Sequence, residues 1–138
     1  MIKNLIHDPL LLSKKSIGSN KGDKQTDIDL LDTLTFYKDT CAGMAANMIG
    51  VYINTIIFTD DDGKFKIMHN PVITEKHFEY EATESCLSYK GKPKNVKRYK
   101  VIKVKYEDEN FKPKTGIYQD FTAQIIQHEI DHTKGILV

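Results

Sequence analysis

The sequence predicts an α+β domain: a helix, several mostly antiparallel strands, and a C-terminal helix. Three observations carry that reading. Residues 27–38 place Ile28, Leu31 and Leu34, and Leu30, Leu34 and Tyr37, at i, i+3 and i, i+4 spacing, the mark of one apolar helical face. Between residues 51 and 118 run β-branched or alternating segments punctuated by Asp, Asn, Pro and Gly. Residues 121–133 return to helical spacing, with Phe121, Ile125, His128 and His132 on one side. A helix, then strands, then a helix is the α+β order.

Taken in order, residues 13–26 ("SKKSIGSNKGDKQT") are polar and contain glycine, so they predict a surface loop leading into the helix at 27–38. Gly43-Met44-Ala45-Ala46 predicts a small-residue turn. The run "VYINTIIF" predicts a strand, closed by the acidic turn Asp60-Asp61-Asp62-Gly63. Residues 65–68 return as its hairpin partner, Asn70-Pro71 interrupts, and residues 72–82 extend again. Residues 101–106 alternate, with Val101, Lys103 and Lys105 on one face and Ile102, Val104 and Tyr106 on the other. The turn-like "EDENFKPK" leads to a last strand at 116–118, and the helix at 121–133 follows.

The chain has 138 residues, which suits a single domain over 1–138 with a real core. A net charge of +1, from 20 basic and 19 acidic residues, gives no general attraction to nucleic acid or membrane. The locally basic "KGKPKNVKRYKVIKVK" has no interleaved stacking aromatic beyond Tyr99, so it reads as a strand with a solvated face and not as a nucleic-acid site. No run approaches the ~18 apolar residues of a membrane span. The opening "MIKNLIHDPLLLSKKS" is broken by His7, Asp8 and Pro9 and does not read as a signal peptide. Two cysteines make no disulfide framework, which suits a reducing, cytoplasmic setting where a thiolate can serve a metal.

The last residues, "QHEIDHTKGILV", carry the chemistry. H-E-x-x-H on a helix places His128 and His132 one turn apart on one face, ready for a metal ion, with the Glu129 carboxylate beside them. A tetrahedral site with one open position needs a third protein ligand, and none of the residues after His132 is His, Cys, Asp or Glu. Upstream, His69 and His77 lie in strand-like stretches flanked by charge and read as exposed surface histidines. His7 beside Pro9 reads as structural. Cys41 reads as a small buried thiol near a tight turn. Cys86 lies in "ESCLS", past an extended stretch and before a Lys90-Gly91 turn, where a thiolate has nearby backbone N–H groups. Spacing and composition favour Cys86 over Cys41 without deciding between them.

Three ordered blocks resemble the peptide deformylase family. "CAGMAANMIG" resembles its G-x-G-L-A-A-x-Q-[IV]-G, "ESCLS" its E-G-C-L-S, and "QHEIDHTKG" its Q-H-E-x-D-H-x-x-G. Asn70-Pro71-Val72-Ile73 and Val96, Arg98, Val101, Val104 and Asp108 fall at similar spacing between them. The resemblance implies a peptide-deformylase-like fold, antiparallel sheets around the H-E-x-x-H helix. It also implies removal of the N-formyl group from formylmethionyl nascent peptides, at the ribosome, as part of protein biosynthesis. It implies Cys86, His128 and His132 as ligands of one divalent metal, Fe(II), with Zn, Ni or Co able to take the same site. Glu129 becomes the general base. Gly43 and Leu87 hold the peptide as an added strand, and the Leu87 N–H faces the developing oxyanion. Asp131 supports a histidine or caps local structure.

The chain departs from the family's motifs in its first two blocks. Where they carry a Gln that donates to the oxyanion, this chain has Met48, and a thioether cannot donate. Cys41 replaces the first Gly, Met44 the Leu, and Ser85 the Gly before the ligand. The alternative these departures raise is a non-catalytic homologue that binds metal and formylated or other peptide N-termini. Retention of Glu129 weighs against it, because a pure binder needs no base.

Overall fold

The computed structural model describes residues 1–89 and 91–138, so Lys90 of the expected Lys90-Gly91 turn lies outside the described residues. Among the described residues three α-helices, α1 (Pro9–Leu12), α2 (Lys24–Phe36) and α3 (Asp120–Thr133), pack with a five-stranded antiparallel sheet. Its strands follow chain order: β1 (Gly43–Ala45), β2 (Thr55–Thr59), β3 (Phe65–Glu84), β4 (Lys94–Glu107) and β5 (Pro113–Gln119). The expected α+β architecture, antiparallel strands around the C-terminal helix, is the one observed.

Several boundaries differ from the sequence reading, each for a local reason. The four-residue α1 has no counterpart in the periodic pattern; Asp8 caps it by accepting from Leu10 N–H, and Pro9 occupies its first turn. Helix α2 begins earlier than residue 27, because Asn20 and Asp23 cap a single 3-10 turn that feeds directly into it. Its buried side carries Thr26, Asp27, Leu30, Thr33 and Leu34, while Ile28 and Leu31 face outward. Polar residues hold that face because they have partners. Asp27 pairs with His69, and the Thr33 hydroxyl accepts from Lys3 N–H.

The small-residue stretch 43–46 is strand β1 followed by a 3-10 turn at Ala46–Ile49, closed by Gly50 in the left-handed region (φ 83°). Strand β2 covers only the later part of "VYINTIIF". Its residues 55–58 are all buried, the continuous apolar pattern of a strand covered on both faces. The acidic turn reverses the chain as expected, with Asp60 N–H donating to Lys64 O. Asn70-Pro71 bends the next strand without breaking it. Asn70 takes a positive φ of 52°, the ladder shifts between His69 and Val72, and β3 runs on to Glu84. Strands β4 and β5 likewise extend beyond their predicted cores. The alternation along β4 holds: Ile102 and Val104 are buried, and the other face places Lys97 by Glu79 and Lys103 by Glu75.

His69 is the plain correction. It is 0% exposed and not a surface residue. Its Nε2 donates to Asp27 Oδ2 at 2.9 Å, its Nδ1 lies 2.9 Å from the Thr55 hydroxyl, and its ring stacks on Phe111. Charged neighbours in the sequence suggested solvent, but one of the charges that matters arrives from α2. His77 is exposed, as expected. The core lies where α2 and α3 meet the sheet and contains Leu30, Leu34, Met44, Phe58, Ile102 and Ile126. Each such side chain contributes about 1.5–3 kcal/mol on burial. Among the described residues no helix is long and apolar enough to cross a membrane.

Candidate metal centre and cleft

Helix α3 is fixed to the sheet by the residue just before the first histidine. Gln127 Oε1 accepts from Tyr99 N–H and its Nε2 donates to Tyr99 O, both at 2.9 Å, so the amide extends the β4 backbone pairing sideways. With the helix fixed, i, i+4 spacing brings His128 and His132 together. Their Nε2 atoms are 3.2 Å apart and both rings are buried. Cys86 follows the end of β3, and its Sγ joins the two imidazoles in a group whose ligand atoms lie within 4.8 Å of one another. Cys41 is not part of that group. It lines the neighbouring cleft, where its thiol donates to Gly43 O and burial, then the Glu129 charge, push it up to about 12.

The surroundings of the three ligand atoms fit a cation. Two ligands of one tetrahedral ion, each about 2.0–2.1 Å from it, stand roughly 3.3 Å apart, which matches the Nε2 separation. Glu84 Oε1 accepts from His128 Nδ1 at 2.7 Å, which turns the Nε2 lone pair toward Cys86 and His132. Burial lowers the His128 pKa, yet hydrogen bonds to Cys86 and Glu84 outweigh it and raise it to about 10 without a metal; the site favours positive charge there. Burial lowers His132 to about 3, and the His128 charge acts in the same direction, which leaves His132 neutral, as ligation requires.

Glu84 is itself held by several donors. Arg98 Nε and Nη2 reach its two oxygens at 2.9 and 2.8 Å, and Gln124 Nε2 donates at 3.0 Å. Burial opposes its charge, but the hydrogen bonds from His128 and Arg98 hold Glu84 down to about 2. Arg98 Nη1 continues to Asp131 Oδ2 at 2.6 Å. Asp131 therefore reaches His128 through Arg98 and Glu84, not by touching a histidine. The sequence reading does not single out this relay, nor Gln127 or Asn47. Asn47 Nδ2 donates to His132 O at 2.7 Å and ties the turn after β1 to the ligand helix. The available signal was polarity at positions next to predicted ligands and core residues.

Glu129 is 5% exposed, and its Oε1 has no hydrogen-bond partner among the described residues. Burial pushes its carboxyl up to about 7. It borders a cleft of about 250 Å³ that Gly43, Met48, Cys86, Leu87 and His128 also line. Gly43 is required by space: a Cβ there would stand 2.6 Å from Ile125 Cγ2 and 3.1 Å from Glu129 Oε2. Met48 is buried in the cleft wall, and its Sδ accepts from Ala45 N–H at 3.3 Å. Ser85, the other notable departure, is exposed at the rim.

Residues 4–138 match the family model described as polypeptide deformylase. A protein named peptide deformylase from Clostridium beijerinckii is 47% identical over the full length of both chains. One from Pseudothermotoga lettingae is 38% identical over 96% of this chain and 77% of its own. The crystal structure of a peptide deformylase from Legionella pneumophila superposes over 99% of this chain and 83% of its own, with a TM-score of 0.87 and 30% identity. That of the Thermus thermophilus peptide deformylase gives a TM-score of 0.87 and 30% identity, with coverage of 99% and 84%.

Proposed function

Because the chain belongs to the peptide deformylase family of metal-dependent hydrolases, which remove the N-formyl group from newly made peptides, we propose that its cleft beside α3 does this with Cys86, His128 and His132 holding the metal and Glu129 acting as base. The observation that carries the assignment is the meeting of the three ligand atoms within 4.8 Å, beside a buried carboxylate in an open cleft. The family and this ligand group point to one metal ion. We assign Fe(II) as the working ion; a thiolate with two imidazoles also accepts Zn, Ni or Co. When bound, the ion lowers the pKa of a water and polarises the formyl oxygen.

The chain's own groups do the rest. Glu129, poised near neutrality by burial, takes a proton from the attacking water and returns it to the leaving amine as the C–N bond breaks, releasing formate and a free N-terminus. The missing Cβ at Gly43 leaves room for the Ile125 and Glu129 side chains, which brings the carboxylate to the cleft that Gly43 and Leu87 also line, and an extended peptide lies between those two backbones. The Leu87 N–H donates to the developing oxyanion. Met48 offers no second donor, since its sulfur only accepts. Slow turnover follows from that loss; a purely binding role would leave Glu129 without a use. The family match over 4–138 and a core cluster that draws on α2, the sheet and α3 support a single domain over 1–138. Two free thiols and nascent-chain substrates support action in the cytoplasm, at the ribosome.

The deciding experiment is formate release from a formylmethionyl peptide by anaerobically purified, Fe(II)-loaded protein. Turnover that disappears with the metal supports the assignment. A metal-loaded protein that binds the peptide and releases no formate would establish the binding role instead.

A further inference from the structure

The three ligands are secured by different means. His128 and His132 stand on a helix bonded to β4, and Glu84 orients the first of them. Cys86 stands on irregular backbone at residues 85–89, where no ladder sets its position. From its far side this loop is held by residues 5–7. Ser88 is fully buried and donates its hydroxyl to Ile6 O. His7 Nδ1 lies 2.6 Å from Ser88 O. A carbonyl only accepts, so Nδ1 carries the proton. Ile6 N–H donates to Met48 O at 2.8 Å, and Leu5 is anchored in the core. One short segment thus bonds both walls of the cleft, the loop with Cys86 and Leu87 and the turn with Met48. His7 itself is exposed, so its ring is not there to fill the core.

We propose that His7 and Ser88 are positioning residues: their hydrogen bonds set where the Cys86 sulfur and the Leu87 N–H stand relative to His128 and His132. The inference rests on the ligand set proposed above. Losing either bond frees the loop to drift, and small displacements matter at both ends. A thiolate needs its distance to the ion, and an oxyanion donor needs its aim.

The test uses the full-length chain loaded with Co(II), whose thiolate-to-metal absorption reports the sulfur directly. Cys86→Ala should abolish that band. If it does not, the ligand assignment fails, separately from the present proposal. With that control in place, His7→Ala should weaken or shift the band and bind Co(II) at least about tenfold more weakly in competition with a chelator, as loss of a ligand's supporting partner does elsewhere. His7→Asn, whose amide nitrogen can occupy the Nδ1 position, should restore both. His77→Ala, an exposed strand histidine, should change neither. Ser88→Ala should repeat the His7→Ala result; if it does not fold, the exposed His7 carries the test. A His7→Ala protein with the parent's band and Co(II) affinity overturns the proposal. So does one that loses only thermal stability while its band stays unchanged, since that marks a merely structural contact.

Discussion

Met48 stands in the cleft wall where the family's motif carries a glutamine, and its effect on rate can be measured directly. Its sulfur sits 3.3 Å from Ala45 N–H and inside the cleft wall. A glutamine of similar length can turn its amide oxygen toward the same Ala45 N–H and leave its NH₂ to donate into the cleft. Removal of one oxyanion donor elsewhere costs about 10²–10³ in rate. Met48→Gln should therefore raise kcat by up to that factor with little change in KM, because the amide bond strengthens as charge develops. A folded, metal-loaded variant no faster than its parent would place the slow step outside the oxyanion. Glu129→Ala separates base from ligand in the same assay. The ion should stay, since Glu129 is not among the three ligand atoms, and turnover should vanish with the proton carrier. Unchanged metal content with unchanged formate release would take Glu129 out of the reaction. At this scale the His128–Glu129–His132 spacing was legible as a candidate metal motif, while the choice of Cys86 over Cys41 was settled only through the family resemblance; the structure brings Cys86, His128 and His132 together. Glu84, Arg98 and Asn47 were not legible, because their partners lie far away in sequence: Glu84 with His128, Asn47 with His132.

Helix α3 shows why elements were easier to detect than to orient. Its period was plain, and so was the ligand face. What fixes it, the Gln127 amide on the Tyr99 backbone, is a contact between a helix and a strand that no period encodes. Helix α2 shows the reverse error. Its apolar residues marked a helix, but the buried face was chosen by polar partners, and Ile28 and Leu31 were left outside. The tether concerned is Asp27 with His69, both at most 6% exposed. Removing one member strands a buried charge, at about 3–5 kcal/mol, whereas replacing both by apolar groups can be nearly neutral. His69→Leu should accordingly lower the urea midpoint sharply. Adding Asp27→Leu should recover most of that loss. A double variant as unstable as the single one would mean that packing against Phe111, and not the charge, sets the cost.

Across the whole molecule the candidate metal centre joins parts that are distant in sequence. Cys86 lies just past the end of β3, both histidines stand on α3, and Asn47 from the turn after β1 bonds the backbone of His132. The α+β class and the closing helix were readable because hydrophobic period survives without tertiary knowledge. The bend at Asn70-Pro71 and the length of β3 were not, since a proline that looks like a stop is absorbed by a bulge. An ion bound by these three residues binds the folded chain and not the unfolded one, so it should stabilise the whole fold. At a free metal concentration about 100 times Kd the gain is about 2.7 kcal/mol. For a chain between the usual size classes, each kcal/mol moves Tm by roughly 2–8 °C. Chelation should therefore lower Tm by about 5–20 °C, and re-adding Zn or Fe(II) should restore it. Cys86→Ala should lose most of that metal-dependent increment, and Cys41→Ala should keep it, because Cys41 lines the cleft without joining the ligand group. Melting curves of the three proteins with and without metal make the measurement. Equal metal-dependent shifts in both cysteine variants would mean that the third ligand is not Cys86, and that the cleft is held together by something other than its ion.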